Sequence, residues 1–229
     1  MGKDTVFMYS ALNAANIIVR TIAGFLPVLP MMALYHAAML RKDRKNGLKT
    51  AKPHIAAVYI FCFVIVLVLS ITSVPGIYNL EVIPNVNFVP FAYIHSMYHQ
   101  YMLNVLLFVP VGFLLPLLWK KFERWHIVLF YGFFFSLSIE MIQLFNERVS
   151  DVDDLLMNSA GTMIGYVVFL LIRKALPKVS VFAIADNNHW KWEPYCCFCF
   201  VWISMLFIRP FLSNWLLGLV FPFITGAPG

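Results

Sequence analysis

Six stretches of the chain are apolar over close to the ~20 residues that an α-helix needs to cross ~30 Å of hydrocarbon. They run at about residues 14–40, 55–77, 101–119, 126–145, 155–172 and 198–221. Each is too long for a strand, and in lipid a helix satisfies its own backbone within one segment. The pattern therefore predicts an all-α, polytopic integral membrane bundle of about six helices. The first stretch opens with Asn13, Asn16 and Arg20 and is interrupted by Pro27 and Pro30. It reads either as one kinked, tilted span or as an interfacial segment followed by a shorter one. No cleavable signal is expected, since Lys3 is balanced by Asp4 and no Ala-x-Ala-like site follows a short apolar core.

Composition agrees with this reading: 61% of the residues are hydrophobic and 12% charged, with a mean hydropathy of +0.79. A water-soluble domain of 229 residues could not cover its surface with so few polar groups. The charges also give an orientation, because cytoplasmic loops concentrate Lys and Arg. Thirteen of the 17 basic residues fall in 41–52, 120–124 and 173–191, three segments on one side of a six-span arrangement. That side is expected to be cytoplasmic, with both termini outside. Trp119, Trp125, Trp190 and Trp192 lie near the same boundary, where an aromatic belt would place them. The formal charge of +6 is then accounted for by topology and anionic inner-leaflet lipid, at ~1 kcal/mol per basic residue near the surface. Nucleic acid is not implied. The chain divides into 1–77, two helices with a basic loop; 78–175, an outer loop and three helices; and 176–229, a cytoplasmic loop and the last helix.

Polar chemistry gathers on the opposite side. In the fourth span Gly132, Ser136, Glu140 and Gln143 recur at helical spacing, and in the fifth so do Asp154, Asn158, Gly161 and Gly165. Small residues on such stripes let helices approach closely. The third span adds Asn104 at its outer end, followed by Phe108 and Gly112, while Pro110 leaves a carbonyl one turn earlier without its usual donor. An ionisable group inside a span costs ~2.5 to 3.5 kcal/mol on insertion scales and usually lines a cavity or interface. A wet or ligand-filled notch in the outer half of the membrane follows.

The elements Asn87-Phe-Val-Pro90-Phe91, Asn104-x-x-x-Phe108-Val-Pro110-Val-Gly112, Glu140-x-x-Gln143 and Arg148-x-x-Asp151-x-x-Asp154-x-x-x-Asn158-x-x-Gly161, in this order and spacing, resemble the VanZ family. The resemblance covers roughly residues 85–172. It implies a bacterial plasma membrane, chiefly of Gram-positive organisms, and a role like that of the founding member, which lowers susceptibility to the lipoglycopeptide teicoplanin. It supplies no biochemical mechanism.

Two readings of the polar residues stay open. In one, Asn104, Glu140, Gln143 and Asn158 form a recessed hydrogen-bonding site, with Arg148 or His99 as a cationic partner for an anionic head group. In the other, a protonated Glu140 bonds across to Asn158 or Asn104, and Arg148 pairs with Asp151 or Asp154 to stabilise the turn. Asp153 is expected to be a solvated cap or loop residue, while Asp151 and Asp154 fit either a cap or the site. His95 and His99 read as interfacial residues rather than metal ligands, and no motif for a cofactor, a nucleophile or a phosphate-cradling loop occurs. Arg20 and Arg209 are further charges in apolar context; Arg209 could snorkel or face Glu140. The expected partners are membrane lipids and a lipoglycopeptide or cell-wall lipid precursor. A lipid-head-group enzyme using Glu140, Asp151 or Asp154, and a lipid transporter or scramblase, are the alternatives.

Overall fold

The structure is a computed structural model that describes residues 3–47, 52–77, 86–87, 90–91, 94–145, 150–176 and 190–225. Its elements in chain order are α1 (Lys3–Lys45), α2 (Lys52–Ile71), β1 (Val86–Asn87), α3 (Ile94–Leu118), α4 (Trp125–Gln143), β2 (Ser150–Asp151), α5 (Val152–Ala175), α6 (Glu193–Ile203) and α7 (Arg209–Thr225). Six helical segments are long and apolar enough to cross a membrane, α6 and most of α7 forming a single one over Trp190–Gly218. The multi-pass helical architecture read from the sequence is thus the architecture of the described chain. Large apolar side chains such as Leu34, Ile60, Leu106, Phe130 and Leu171 are exposed on the outside of the bundle, as lipid-facing positions require.

α1 continues as one helix through Pro27 and Pro30, because a proline in a span removes one internal hydrogen bond without ending the segment. α3 begins at Ile94, earlier than the hydropathy pattern indicates, so the polar residues 94–100 are its first turns. The chain before it crosses the same end of the bundle. β1 pairs in parallel with β2, Val86 opposite Ser150 and Asn87 opposite Asp151. Of residues 78–100, expected from their length and prolines to fold back over the outer face as a lid or short interfacial helix, only 86–87, 90–91 and 94–100 are described.

Three glycines set how closely α3 and α5 pack. A Cβ on Gly112 would meet the Thr162 carbonyl oxygen at 1.9 Å, one on Gly161 the Val105 oxygen at 2.2 Å, and one on Gly165 the Val109 oxygen at 2.1 Å. The two backbones are therefore in contact, as small-residue stripes permit in lipid. Gly132 does the same for α4, where a Cβ would strike the Thr162 side chain at 2.4 Å. A single apolar core then joins Met32 of α1, Phe61 and Ile65 of α2, Phe108 and Leu115 of α3, Phe135 of α4, and Cys197 and Val201 of α6. Phe108 and Phe135 pack ring to ring with centroids 5.3 Å apart.

α2 ends in a Schellman motif. Val74 N–H bonds to the Leu69 carbonyl and Ser73 N–H to the Ser70 carbonyl, and Ser73 takes the left-handed position with φ of 57°, where glycine is usual. At the other irregular point, Ser204–Ile208 forms a π-helical turn between α6 and α7. There the Arg209 N–H reaches back to the Ser204 carbonyl, and the Met205 carbonyl is satisfied by Arg209 Nε at 3.1 Å.

Candidate functional site

The end of the bundle away from the basic loops is where α2 and α4 close and where α3 and α5 open. Ser136, Glu140 and Gln143 on α4 and Asn158 on α5 all turn inward and are buried, Glu140 to 7% exposure. Glu140, Gln143 and Asn158, together with Asn104 and Asp154, line a cavity of about 280 Å³ whose lining also includes the apolar Ile71, Leu103, Leu107 and Ile139. Five of the sequence-derived site residues, Asn104, Glu140, Gln143, Asp154 and Asn158, are thus brought into one cavity.

Their hydrogen bonds follow from the helix spacings. Asn104 Nδ2 on α3 donates to Asp154 Oδ1 on α5. Asn158 Nδ2 donates to Ser136 Oγ at 2.9 Å, and Gln143 Nε2 to the Thr72 carbonyl at 2.9 Å. Glu140 does not bond to Asn104 or Asn158 in this set; its Oε2 accepts the Asp151 N–H at 3.1 Å, which fixes the start of α5 against α4. Among the described residues the buried Gln143 Oε1 and Asn158 Oδ1 have no hydrogen-bond partner. Leaving a buried polar atom unpaired costs ~1 to 3 kcal/mol, and here two such atoms lie in residues that line the same cavity.

Asp151 lies outside the cavity lining. It is the N-cap of α5, its side chain accepting the Asp153 N–H at 3.0 Å, so its position answers the cap reading. Asp153 corrects the expectation of a solvated residue: it is 0% exposed. Both of its carboxylate oxygens accept the Phe91 N–H at 2.9 Å, and Tyr101 OH donates to Oδ2 at 2.6 Å. The cap role belongs to Asp151, which leaves Asp153 to clamp the incoming chain. Phe91 itself takes a left-handed conformation, φ 59°, that a bulky side chain disfavours. The Asp153 clamp holds it there. Arg148 lies outside the described residues, and of Asn87 only the backbone is described. His99 is exposed. Among the described residues no group of His, Cys, Asp and Glu is arranged to hold a metal ion.

A second polar cluster, at the opposite end, was not anticipated. Glu193 at the start of α6 is fully buried and accepts from His36 Nε2 of α1 at 2.9 Å, His54 Nε2 of α2 at 2.7 Å and Trp119 Nε1 at 2.8 Å. Trp190 Nε1 donates to Asp43 beside it. Trp119 and Trp190 are therefore buried donors and not members of an aromatic belt, whereas Trp125 and Trp192 are exposed. The signal available in the sequence was Glu193, an acid opening an apolar run and followed by Pro194. Arg209 neither snorkels nor meets Glu140: it is buried and Nη2 donates to the Val74 carbonyl at 2.8 Å.

Residues 56–173 match the family model described as VanZ/LLP1, so the likeness takes in α2 as well as the segment from 85 to 172. No curated protein and no solved structure matches the chain.

Proposed function

The chain belongs to the VanZ/LLP1 family, and on that premise we propose that its polar cavity, facing the outer side of the plasma membrane, binds a lipidated or lipid-linked cell-envelope ligand and so lowers susceptibility to teicoplanin. The observation that carries this reading is the mixed lining of the cavity, polar at Asn104, Glu140, Gln143, Asp154 and Asn158 and apolar at Ile71, Leu103, Leu107 and Ile139. Such a site suits a molecule with an apolar chain and a head rich in hydroxyl and amide groups.

Gln143 and Asn158 support the polar half of the argument. Each spends one amide atom on fixing its own orientation, and the other has no partner among the described residues. A hydroxyl or amide of a sugar or peptide would satisfy these atoms, and the apolar lining residues would cover the root of an acyl chain at ~25 cal/mol per Å² buried. The cavity holds a sugar-sized group or part of a chain rather than a whole glycopeptide. Binding alone would then withhold the antibiotic or its target, and no reaction is needed.

The test is equilibrium binding of teicoplanin to the purified chain in neutral detergent, with vancomycin as the non-acylated comparison. Saturable teicoplanin binding that weakens roughly tenfold or more in Asn158→Ala and Gln143→Ala is expected from the loss of hydrogen bonds in a buried site. Absence of teicoplanin binding by the wild-type chain would refute the proposal for this ligand.

A further inference from the structure

A larger cavity, of about 580 Å³, lies between α1, the turn that follows α2, and α7. We propose that it is a phosphate-binding site, in which Arg20 and Arg209 hold the phosphoryl group of a lipid head group or of a soluble phosphate. This inference does not rest on the function proposed for the first cavity. Their shared boundary is the turn after α2, where Gln143 Nε2 takes the Thr72 carbonyl from one side and Arg209 Nη2 takes the Val74 carbonyl from the other.

The first argument is charge. Arg209 is 4% exposed within the apolar segment Trp190–Gly218, and Arg20 is half-buried on α1. Among the described residues neither forms a salt bridge with a carboxylate, and no acidic residue lines the cavity. The charge that bears on Arg209 is that of Arg20, another cation. Two like charges in a poorly solvated place repel, and a buried charge without a counterion is among the costlier arrangements in a protein. An anion between them removes both costs.

The second argument is donor geometry. A guanidinium carries five N–H donors in a planar fork. Two of those on Arg209 are used, Nε on the Met205 carbonyl and one from Nη2 on the Val74 carbonyl. These bonds fix the plane of the group and leave further donors for a ligand. Asn16, Ser73 and Asn214 line the same cavity and offer neutral donors around it. Several donors from three elements suit a tetrahedral group with three or four oxygens better than a planar carboxylate, and arginine forks match phosphate oxygens in pairs.

The third argument is the irregular backbone beside the cavity. The π-helical turn Ser204–Ile208 immediately precedes Arg209, and such turns occur frequently at functional sites. Pro210, next to it, packs so tightly on the α2 turn that a Cβ on Gly76 would lie 2.3 Å from the proline ring. Ser73 adopts a left-handed conformation on the same turn.

The test uses the full chain in neutral detergent and two phosphate sources. Inorganic phosphate is titrated calorimetrically against a chloride control, and retained lipid is read by native mass spectrometry after exchange with phosphatidylcholine vesicles with or without phosphatidic acid. Binding of one source is expected, weakened roughly tenfold or more in Arg20→Gln and in Arg209→Lys and unchanged in Glu140→Gln. Arg209→Lys keeps the charge but loses the fork and its bonds to the Met205 and Val74 carbonyls, so its thermal midpoint is measured beside binding, and Arg20→Gln at a half-buried position provides the second variant. Binding of inorganic phosphate assigns the site to a soluble anion; retention of phosphatidic acid alone assigns it to a head group. The proposal is overturned if the wild-type chain binds neither above its control, or if both arginine variants bind as tightly as wild type. Loss in Glu140→Gln as well would place the phosphate in the first cavity and also overturn it.

Discussion

Asp153 shows how a residue's role can depend on atoms far away in sequence. Three carboxylates stand near the start of α5, and any of them could cap a helix; Asp151 does so, while Asp153 bonds to the Phe91 N–H and the Tyr101 hydroxyl, 62 and 52 positions earlier. Asp153→Ala should leave the buried Tyr101 hydroxyl without its acceptor, release the Phe91 N–H and lower stability by ~1 to 3 kcal/mol, read as a fall in the thermal midpoint in detergent. A midpoint equal to that of wild type would mean that the clamp contributes nothing. Ser73 gives the opposite sign. It occupies the left-handed position of a Schellman motif, so Ser73→Gly should raise stability by ~1 kcal/mol, and an unchanged or lower midpoint would contradict that. Neither assignment was legible locally. Ser-Pro-free text such as Ile71-Thr-Ser-Val74 carries no glycine to mark the turn, and hydrophobic periodicity says nothing of a carboxylate's distant donors. By contrast, Glu140, Gln143 and Asn158 were readable because they sit on helical stripes with small residues, a pattern that fixes direction without knowledge of the partner.

At the scale of elements, α3 and α5 are the closest pair, held at backbone contact by Gly112, Gly161 and Gly165. Replacing Gly161 by alanine puts a methyl group 2.2 Å from the Val105 carbonyl. The backbones must separate, at a cost of ~1 to 3 kcal/mol, and Asn104 and Asp154 separate with them. Reduced monodisperse yield in size-exclusion chromatography is expected for Gly161→Ala and Gly165→Ala, and wild-type behaviour of both would refute the close packing. The positions of these spans were legible from hydropathy, and their approach from the small-residue spacing. What joins the remaining helices was not. Glu193, accepting from His36, His54 and Trp119, ties α1, α2 and the end of α3 to α6 through residues spread over more than 150 positions, with no common motif. Glu193→Ala should cost ~3 kcal/mol or more, because the donors stay buried when their shared acceptor is removed. Thermal unfolding of this variant beside Glu123→Ala, whose ion pair with Arg173 is partly exposed and is worth ~1 kcal/mol or less, separates the two cases.

For the whole molecule, the helical bundle divides its polar chemistry between two ends: the Glu193 cluster at the end that carries the basic loops, and the two cavities at the other. The excess of Lys and Arg in 41–52, 120–124 and 173–191 predicts that the cavity end faces outward. Epitope tags at either terminus should therefore be reached by an impermeant antibody on intact protoplasts, and labelling that requires permeabilisation would reverse the orientation. The number of spans and the family were legible from sequence because both rest on long or multiply repeated signals; the shape of the cavities depends on turns and caps that these signals do not encode. The central claim is that the cavity of Asn104, Glu140, Gln143, Asp154 and Asn158 serves the cell envelope. The most direct measurement is the susceptibility to teicoplanin and vancomycin of a sensitive Gram-positive host expressing the wild-type chain, with Glu140→Gln, Asp154→Asn and Asn158→Ala at matched membrane abundance. The account predicts protection against teicoplanin by the wild-type chain that the three variants lose. Unchanged susceptibility with the wild-type chain, or protection that all three variants retain, would contradict it.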